Sequence, residues 1–282
     1  MYSNEFAVDS TAPSALSLAR TTSSISNSTI VGIDVTGCSG DALKMLFSES
    51  STVPAVNAAG WENCAGAKNF TVTGSDGLKT VYGFAKDAVG NISAVSTVAM
   101  TFDTTNPVIS AGPVIASSMA GGSLQNITWT ATDSSTVTIN LEYYDGSGWN
   151  SIVTGNSNSG TYSWSVPSLN TNTAKIRLTA LDAAGNSVSV TGSDFTIDST
   201  APVVSSVLIN DGATYAGTSL VNVKANLVDN FDSSGLYIRL AAANSGNSDC
   251  QSEYVNNNWV SYISATTNIS FPISPVDGVK KV

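Results

Sequence analysis

The chain has 282 residues, 11 Lys and Arg against 21 Asp and Glu (formal charge −10), no histidine, and 42% hydrophobic residues. It is too apolar to stay disordered, too acidic to grip nucleic-acid phosphates, and it lacks the commonest general base and metal imidazole. No apolar run reaches eighteen residues, so no membrane span is expected, and catalysis is a poor reading from the outset.

Taken in order, the sequence reads as short strands separated by turns. Met1–Phe6 lacks the basic start and apolar run of a secretion signal. Phe6-Ala7-Val8-Asp9 resembles the close of a strand and leads into the linker Asp9-Ser10-Thr11-Ala12-Pro13, so residues 1–8 read as the tail of an upstream repeat or a tag. Thr80–Lys86 alternates in strand fashion, Asp87-Ala88-Val89-Gly90-Asn91 turns, and Ile92–Phe102 reads as the next strand. Asp103-Thr104-Thr105-Asn106-Pro107 is a second linker. Glu142–Trp149 reads as a hairpin around Asp145-Gly146. Lys175–Leu181 is a strand with Ile176, Leu178 and Ala180 on one face, followed by the turn Asp182-Ala183-Ala184-Gly185-Asn186. Thr196-Ile197-Asp198 closes that segment and opens a third linker, Asp198-Ser199-Thr200-Ala201-Pro202. Asn244–Asn258 reads as a polar insertion carrying Cys250. Val276–Val282 resembles Ser75–Val81, which places the end of the chain inside a penultimate strand. Nothing reads as a helix of three turns.

The linkers begin at Asp9, Asp103 and Asp198, 94 and 95 residues apart. The Asp-Ala-x-Gly-Asn turns begin at Asp87 and Asp182, 95 apart, and each precedes the next linker by sixteen residues. Two independent motifs in one register mark an internal repeat, and its length suits a seven-stranded sandwich. The expected fold is all-β: tandem immunoglobulin-like β-sandwiches in an elongated array, with domains at 9–102, 103–197 and an incomplete 198–282.

In such a topology the last strand-to-strand loop, the loop after the second strand and the incoming linker meet at one end of a domain. That gathers Asp9, Asp34 or Asp41, Asp87 and Asn91 in the first repeat, and Asp103, Asp133, Asp182 and Asn186 in the second. In the third it gathers Asp198, Asp229, Asn230 and Asp232. Hard oxygens converging without Lys or Arg suit Ca²⁺. The same motifs also make sense as plain turn chemistry, with Gly supplying positive φ, Asp capping amides and Pro stiffening the linker. Cys38 and Cys64, 26 residues apart, read either as a disulfide or as two buried thiols. Trp149, Trp164, Tyr143, Tyr144 and Tyr162 read either as core or as a sugar-stacking platform.

With these linkers and turns the chain resembles the tandem bacterial immunoglobulin-like repeats of large secreted or surface-anchored proteins, repeat adhesins among them. The resemblance implies a non-enzymatic, extracellular or cell-surface stalk or fibre segment whose junctions are rigidified by Ca²⁺. Asp103 and Asp198 would then be linker ligands, and Asp182 and Asn186 loop ligands. Its implied partners are neighbouring repeats and a host- or prey-surface glycan or protein, with no nucleic acid. A carbohydrate- or receptor-binding module, or accessory domains of a larger secreted enzyme, are the alternatives.

Overall fold

The structure is a computed structural model that describes residues 8–231, 236–238, 240–244, 254–255, 260–261, 268–272 and 280–281. Asp232 and Cys250 lie outside the described residues, as do most of the Asn244–Asn258 insertion and most of Val276–Val282. The described residues form strands, joined by turns and one short 3-10 segment at Asn210–Gly212. None forms a helix long and apolar enough to cross a membrane. By contacts the chain divides into two compact units. The first holds Met1–Ile115, Asn126–Trp164 and Lys175–Ser193; the second holds Ala116–Gln125, Ser165–Ala174 and Asp194–Val282.

In the first unit the first repeat makes two sheets. One runs Ser17–Arg20, Ile30–Thr36, Ala67–Thr71, all antiparallel. The other runs Ile25–Ser26, Ser96–Phe102, Gly77–Lys86, Lys44–Ser48, Glu62–Asn63, with Ile25–Ser26 parallel to Thr101–Phe102. This is the strand order of an immunoglobulin-like sandwich. The period of two explains the core: Val31, Ile33 and Val35 are buried while Asp34 and Thr36, between and after them, are exposed. They meet Met45, Val81 and Met100 from the other sheet in one apolar cluster.

Two details depart from simple alternation. Phe84 and Leu46, paired across the second sheet on the side opposite Ala85 and Met45, are also buried. The loop after Ser48 supplies their neighbours and is tied down nearby: Gly60 lies against Leu46, Trp61 Nε1 donates to Ala55 O (3.0 Å), and Lys86 Nζ donates to Val56 O (2.7 Å). The strand expected from Ile92 begins only at Ser96. Ile92 makes a single bridge to Lys86, and the amide of Ala85 donates to Ser93 Oγ (2.9 Å), which holds the chain in an irregular path first.

The second repeat repeats the order. Within the first unit, the Thr128–Thr132 part of the strand Leu124–Thr132 pairs with Val108–Val114, while Thr138–Tyr144 lies between Trp149–Ser157 and the Lys175–Leu181 part of the strand Thr171–Leu181. The hairpin forms as expected, with Tyr144 opposite Trp149 and Asp145 Oδ1 accepting from the amides of Ser147 (2.7 Å) and Gly148 (2.8 Å). Ile176, Leu178 and Ala180 are all buried.

In the second unit, Ser118–Ala120 runs parallel to Phe195–Asp198, repeating the parallel pair of the first repeat, and Thr171 and Ala174 pair with Ile197 and Phe195. Val203–Ile209, Leu220–Val228 and Ile269–Pro272 form an antiparallel sheet. Along its central strand Val221, Val223, Ala225 and Leu227 alternate inward.

Candidate metal centres

Each linker opens on an aspartate that folds the chain back on itself. Asp9 Oδ1 accepts from the Thr11 amide (3.0 Å), Asp103 Oδ1 from Thr105 (3.1 Å) and Asp198 Oδ1 from Thr200 (2.9 Å). Such aspartate turns leave the second carboxylate oxygen free to face elsewhere.

The Asp-Ala-x-Gly-Asn loops have one geometry in both copies. Asp87 Oδ1 accepts from the amides of Val89, Gly90 and Asn91, and Asp182 Oδ1 from Gly185 (2.7 Å) and Asn186 (2.8 Å). Gly90 and Gly185 sit at φ +104° and +96°, the left-handed conformation the turn demands. Asn91 Nδ2 donates to Asp87 Oδ2 (2.8 Å) and to the linker carbonyls of Asp9 (3.3 Å) and Thr11 (3.2 Å). Asn186 Nδ2 does the same with Asp182 Oδ2 (2.8 Å), Asp103 O (2.9 Å) and Thr105 O (3.2 Å). The asparagine is therefore the hook between loop and linker.

Three aspartates gather at each of these places. Asp103 and Asp182 are buried and Asp133 half-buried, and their carboxylates can bring one oxygen each within 4.8 Å of the others. Asp9, Asp41 and Asp87 do likewise in the first repeat. Of the pair Asp34 or Asp41, the structure selects Asp41. Asp34 stands mid-strand opposite Ala19 and Ala67, outward between buried Ile33 and Val35, whereas Asp41 follows the strand end. In the third repeat, Asn230 with its amide turned to donate reaches Asp198 Oδ1 (3.2 Å) and Asp229 Oδ1 (3.3 Å). The expected fourth member of that set, Asp232, lies outside the described residues.

The donor set fits a hard cation. Oxygens on opposite sides of Ca²⁺ lie roughly 4.6–5.2 Å apart, twice the bond length. Among the described residues, the salt bridges Lys68–Glu62, Arg177–Glu142 and Lys224–Asp211 touch neither group. Asn91 and Asn186 differ from the expected role, because each turns its amide nitrogen to the loop carboxylate and linker. Asn186 Oδ1 accepts instead from Asn27 Nδ2 (3.1 Å). Turn chemistry is thus fully present, and the carboxylates alone could hold an ion.

Burial raises the Asp87 pKa, but hydrogen bonds from the Asn91 side chain and the Asn91, Gly90 and Val89 amides outweigh it and hold the carboxyl below its ordinary value. Asp76 is lowered by the Thr104 amide first, then by the Thr104 and Thr105 hydroxyls. Asp145 is lowered by Ser147, and Glu142 by its bond to Arg177. A carboxyl depressed on folding adds stability above its unfolded pKa and loses it as pH falls through the folded value. With no histidine to titrate, the melting temperature is expected to stay level from about pH 8 to 5 and to fall below about pH 4. Calorimetry across that range checks it.

Cys38 and Cys64 are disulfide-bonded, with Cα atoms 5.4 Å apart. Of the five aromatics only Trp164 is buried; Tyr143, Tyr144 and Tyr162 are half-buried and Trp149 is exposed. Trp164 is buried with Tyr143 5.4 Å from it, and the Arg177 guanidinium sits 4.3 Å over the Trp149 ring, which Tyr144 also flanks at 5.5 Å.

Sequence reasoning missed three residues that hold the linkers: Asn27, Asp76 and Asn170. Asp76 and Asn170 lie 94 apart, 27 and 28 residues ahead of linker aspartates 103 and 198, so the repeat register carried the signal. The substitution of Asn for Asp concealed it.

No family model and no curated protein matches the chain. Among solved structures it is similar to fibronectin(III)-like modules of Clostridium thermocellum CbhA (17% identity, TM-score 0.38, covering 65% of this chain and 93% of that one). It is also similar to a tetra-tandem repeat in the extending region of a large adhesion protein (19%, 0.33, 96% and 69%). A third similarity is to a Ca²⁺-stabilized adhesin with which an Antarctic bacterium binds ice (17%, 0.39, 85% and 62%). By its own strand order the chain is an all-β protein of tandem immunoglobulin-like β-sandwiches.

Proposed function

We propose that the chain is a non-enzymatic, extracellular stalk segment of a surface adhesin, built of modules at 9–102, 103–197 and 198–282, whose junctions take up Ca²⁺. Its partners are then the neighbouring repeats and a surface glycan or protein at the far end of the stalk. The observation that carries this reading is the recurrence of one three-carboxylate group, Asp9-Asp41-Asp87 and Asp103-Asp133-Asp182, at the linker of two successive repeats. An ion that binds a linker carboxylate and two loop carboxylates together favours the ordered junction by mass action. Extracellular modules bind Ca²⁺ at about 10⁻⁴–10⁻³ M. At 10 mM ion each site then adds about 1.4–2.7 kcal/mol.

The test is calorimetry of the full chain in 10 mM CaCl₂ and in chelator. The expected result is a melting temperature about 5–15 °C higher with the ion, with the gain for the second group lost in Asp133→Asn, whose hydrogen bonds come from Ser134 and Ser135 of its own loop. Equal melting in ion and chelator overturns the calcium reading.

A further inference from the structure

We propose that the first linker is locked by a closed circuit of hydrogen bonds that needs no ion, with Asp76 and Asn27 as its positioning residues, and that Asn170 repeats the Asp76 half of that lock at the second linker. The donors of the linker go one way. The Thr104 amide donates to Asp76 Oδ2 (3.0 Å), Thr104 Oγ1 to Asp76 Oδ1 (2.8 Å) and Thr105 Oγ1 to Asp76 Oδ2 (2.8 Å). Asp76 stands in the turn just before Gly77, and Gly77 pairs with Phe102, the last strand residue before the linker. The carboxylate therefore ties the exiting chain back onto the sheet it has just left.

The acceptors of the same linker go the other way. Asp103 O and Thr105 O accept from Asn186 Nδ2. Asn186 then passes the connection back: its Oδ1 accepts from Asn27 Nδ2 (3.1 Å), and the Asn27 amide donates to Ala184 O (3.2 Å). Asn27 follows Ser26, whose carbonyl accepts from the Asp103 amide (3.1 Å). Asp76, linker, Asn186 and Asn27 thus form a ring that begins and ends in the first repeat. Every link is a direct protein contact, so the ring stands whether or not the neighbouring carboxylates hold a cation.

The second linker shows that the Asp76 position is a device rather than an accident. Asn170 Oδ1 accepts from the Ser199 amide (2.7 Å), Asn170 Nδ2 donates to Thr200 Oγ1 (2.7 Å), and Ser199 Oγ donates to Leu169 O (3.0 Å). Ser199 and Thr200 are the counterparts of Thr104 and Thr105, each 95 residues on. An amide there makes one bond as acceptor and one as donor, where the carboxylate accepts three. Asp76→Asn is consequently a conservative replacement whose working geometry the protein already displays.

The experiment uses the full chain in chelator throughout, so that a failure of the calcium reading leaves this inference standing and the reverse. Amide exchange at Thr104 and Ser199 is followed by NMR, together with residual dipolar couplings of the strands Gly77–Lys86 and Lys175–Leu181. In the unaltered protein both amides are expected to be protected and both strands to fit one alignment tensor. Asp76→Ala should speed Thr104 exchange about tenfold or more while leaving Ser199 unchanged. Asn170→Ala should do the opposite, and Asp76→Asn should keep most of the protection. Asp76→Ala combined with Asn27→Ala should require two tensors. Unprotected Thr104 in the unaltered protein, or a single tensor surviving the double substitution, overturns the inference.

Discussion

Asp182→Ala is expected to lower the melting temperature of its module by about 10–20 °C with no calcium in solution. The carboxylate is buried and accepts from the Gly185 amide (2.7 Å), the Asn186 amide (2.8 Å) and Asn186 Nδ2 (2.8 Å). Alanine leaves three donors without their acceptor in a place water reaches poorly. At about 1 kcal/mol net for each lost bond the cost is about 3 kcal/mol. A module of this size loses about 4–8 °C per kcal/mol. The damage spreads, because Asn186 is also the hook on Asp103 O and Thr105 O. Asp182→Asn separates the two roles of the side chain. Its Oδ1 can still accept from both backbone amides, but its nitrogen then faces the nitrogen of Asn186, so one bond is lost rather than three. Scanning calorimetry in chelator should place Asn between wild type and Ala. If Ala and wild type melt together without the ion, the loop is not held by this carboxylate and its place in the cluster would be as a ligand only.

Opening the disulfide should cost a comparable amount in the first repeat. Cys38 and Cys64 close a loop with a separation of 26 residues, and the chain entropy such a bond removes from the unfolded state is about 3 kcal/mol. Both cysteines pack against the apolar cluster that contains Val35 and Ala42, and they join the end of Ile30–Thr36 to the residues just before Ala67–Thr71, a neighbouring strand of the same sheet. A short cross-link between paired strands acts on the unfolded ensemble more than on the fold. Cys64→Ala, or reduction confirmed by mass spectrometry, is therefore expected to drop the transition of the first repeat by about 10–20 °C while leaving that of the second repeat where it was. An unchanged first transition under reducing conditions would show that the strand pairing already confines this loop.

Periodicity at two scales made much of this legible. The two-residue period placed Ile176, Leu178 and Ala180 on a buried face, since a strand next to a core has one dry side. The 95-residue period brought the loop aspartates Asp87 and Asp182 to the linker aspartates Asp9 and Asp103, because equal register in equal folds means equal position. Reasoning failed where a choice depended on the direction of a side chain. Asp34 and Asp41 were equivalent as letters; only the pleat and the strand end separated them. Asn91 and Asn186 carry both an oxygen and a nitrogen, and the two linker carbonyls determine which one faces inward. Asp76 and Asn170 differ chemically yet do one job, so identity between repeats could not find them.

The amino-acid sequence by itself determined the all-β character, the repeat and its register, and the acidic residues that recur at each linker, all properties of local pattern and spacing. Only the tertiary structure decided which of those residues meet, that asparagine nitrogens bind the linker, and that Asn27 and Asp76 close the ring around it. The physical reason is that a hydrogen bond depends on angles and distances of a few tenths of an ångström. Those are set when two sheets pack, not when a strand is written.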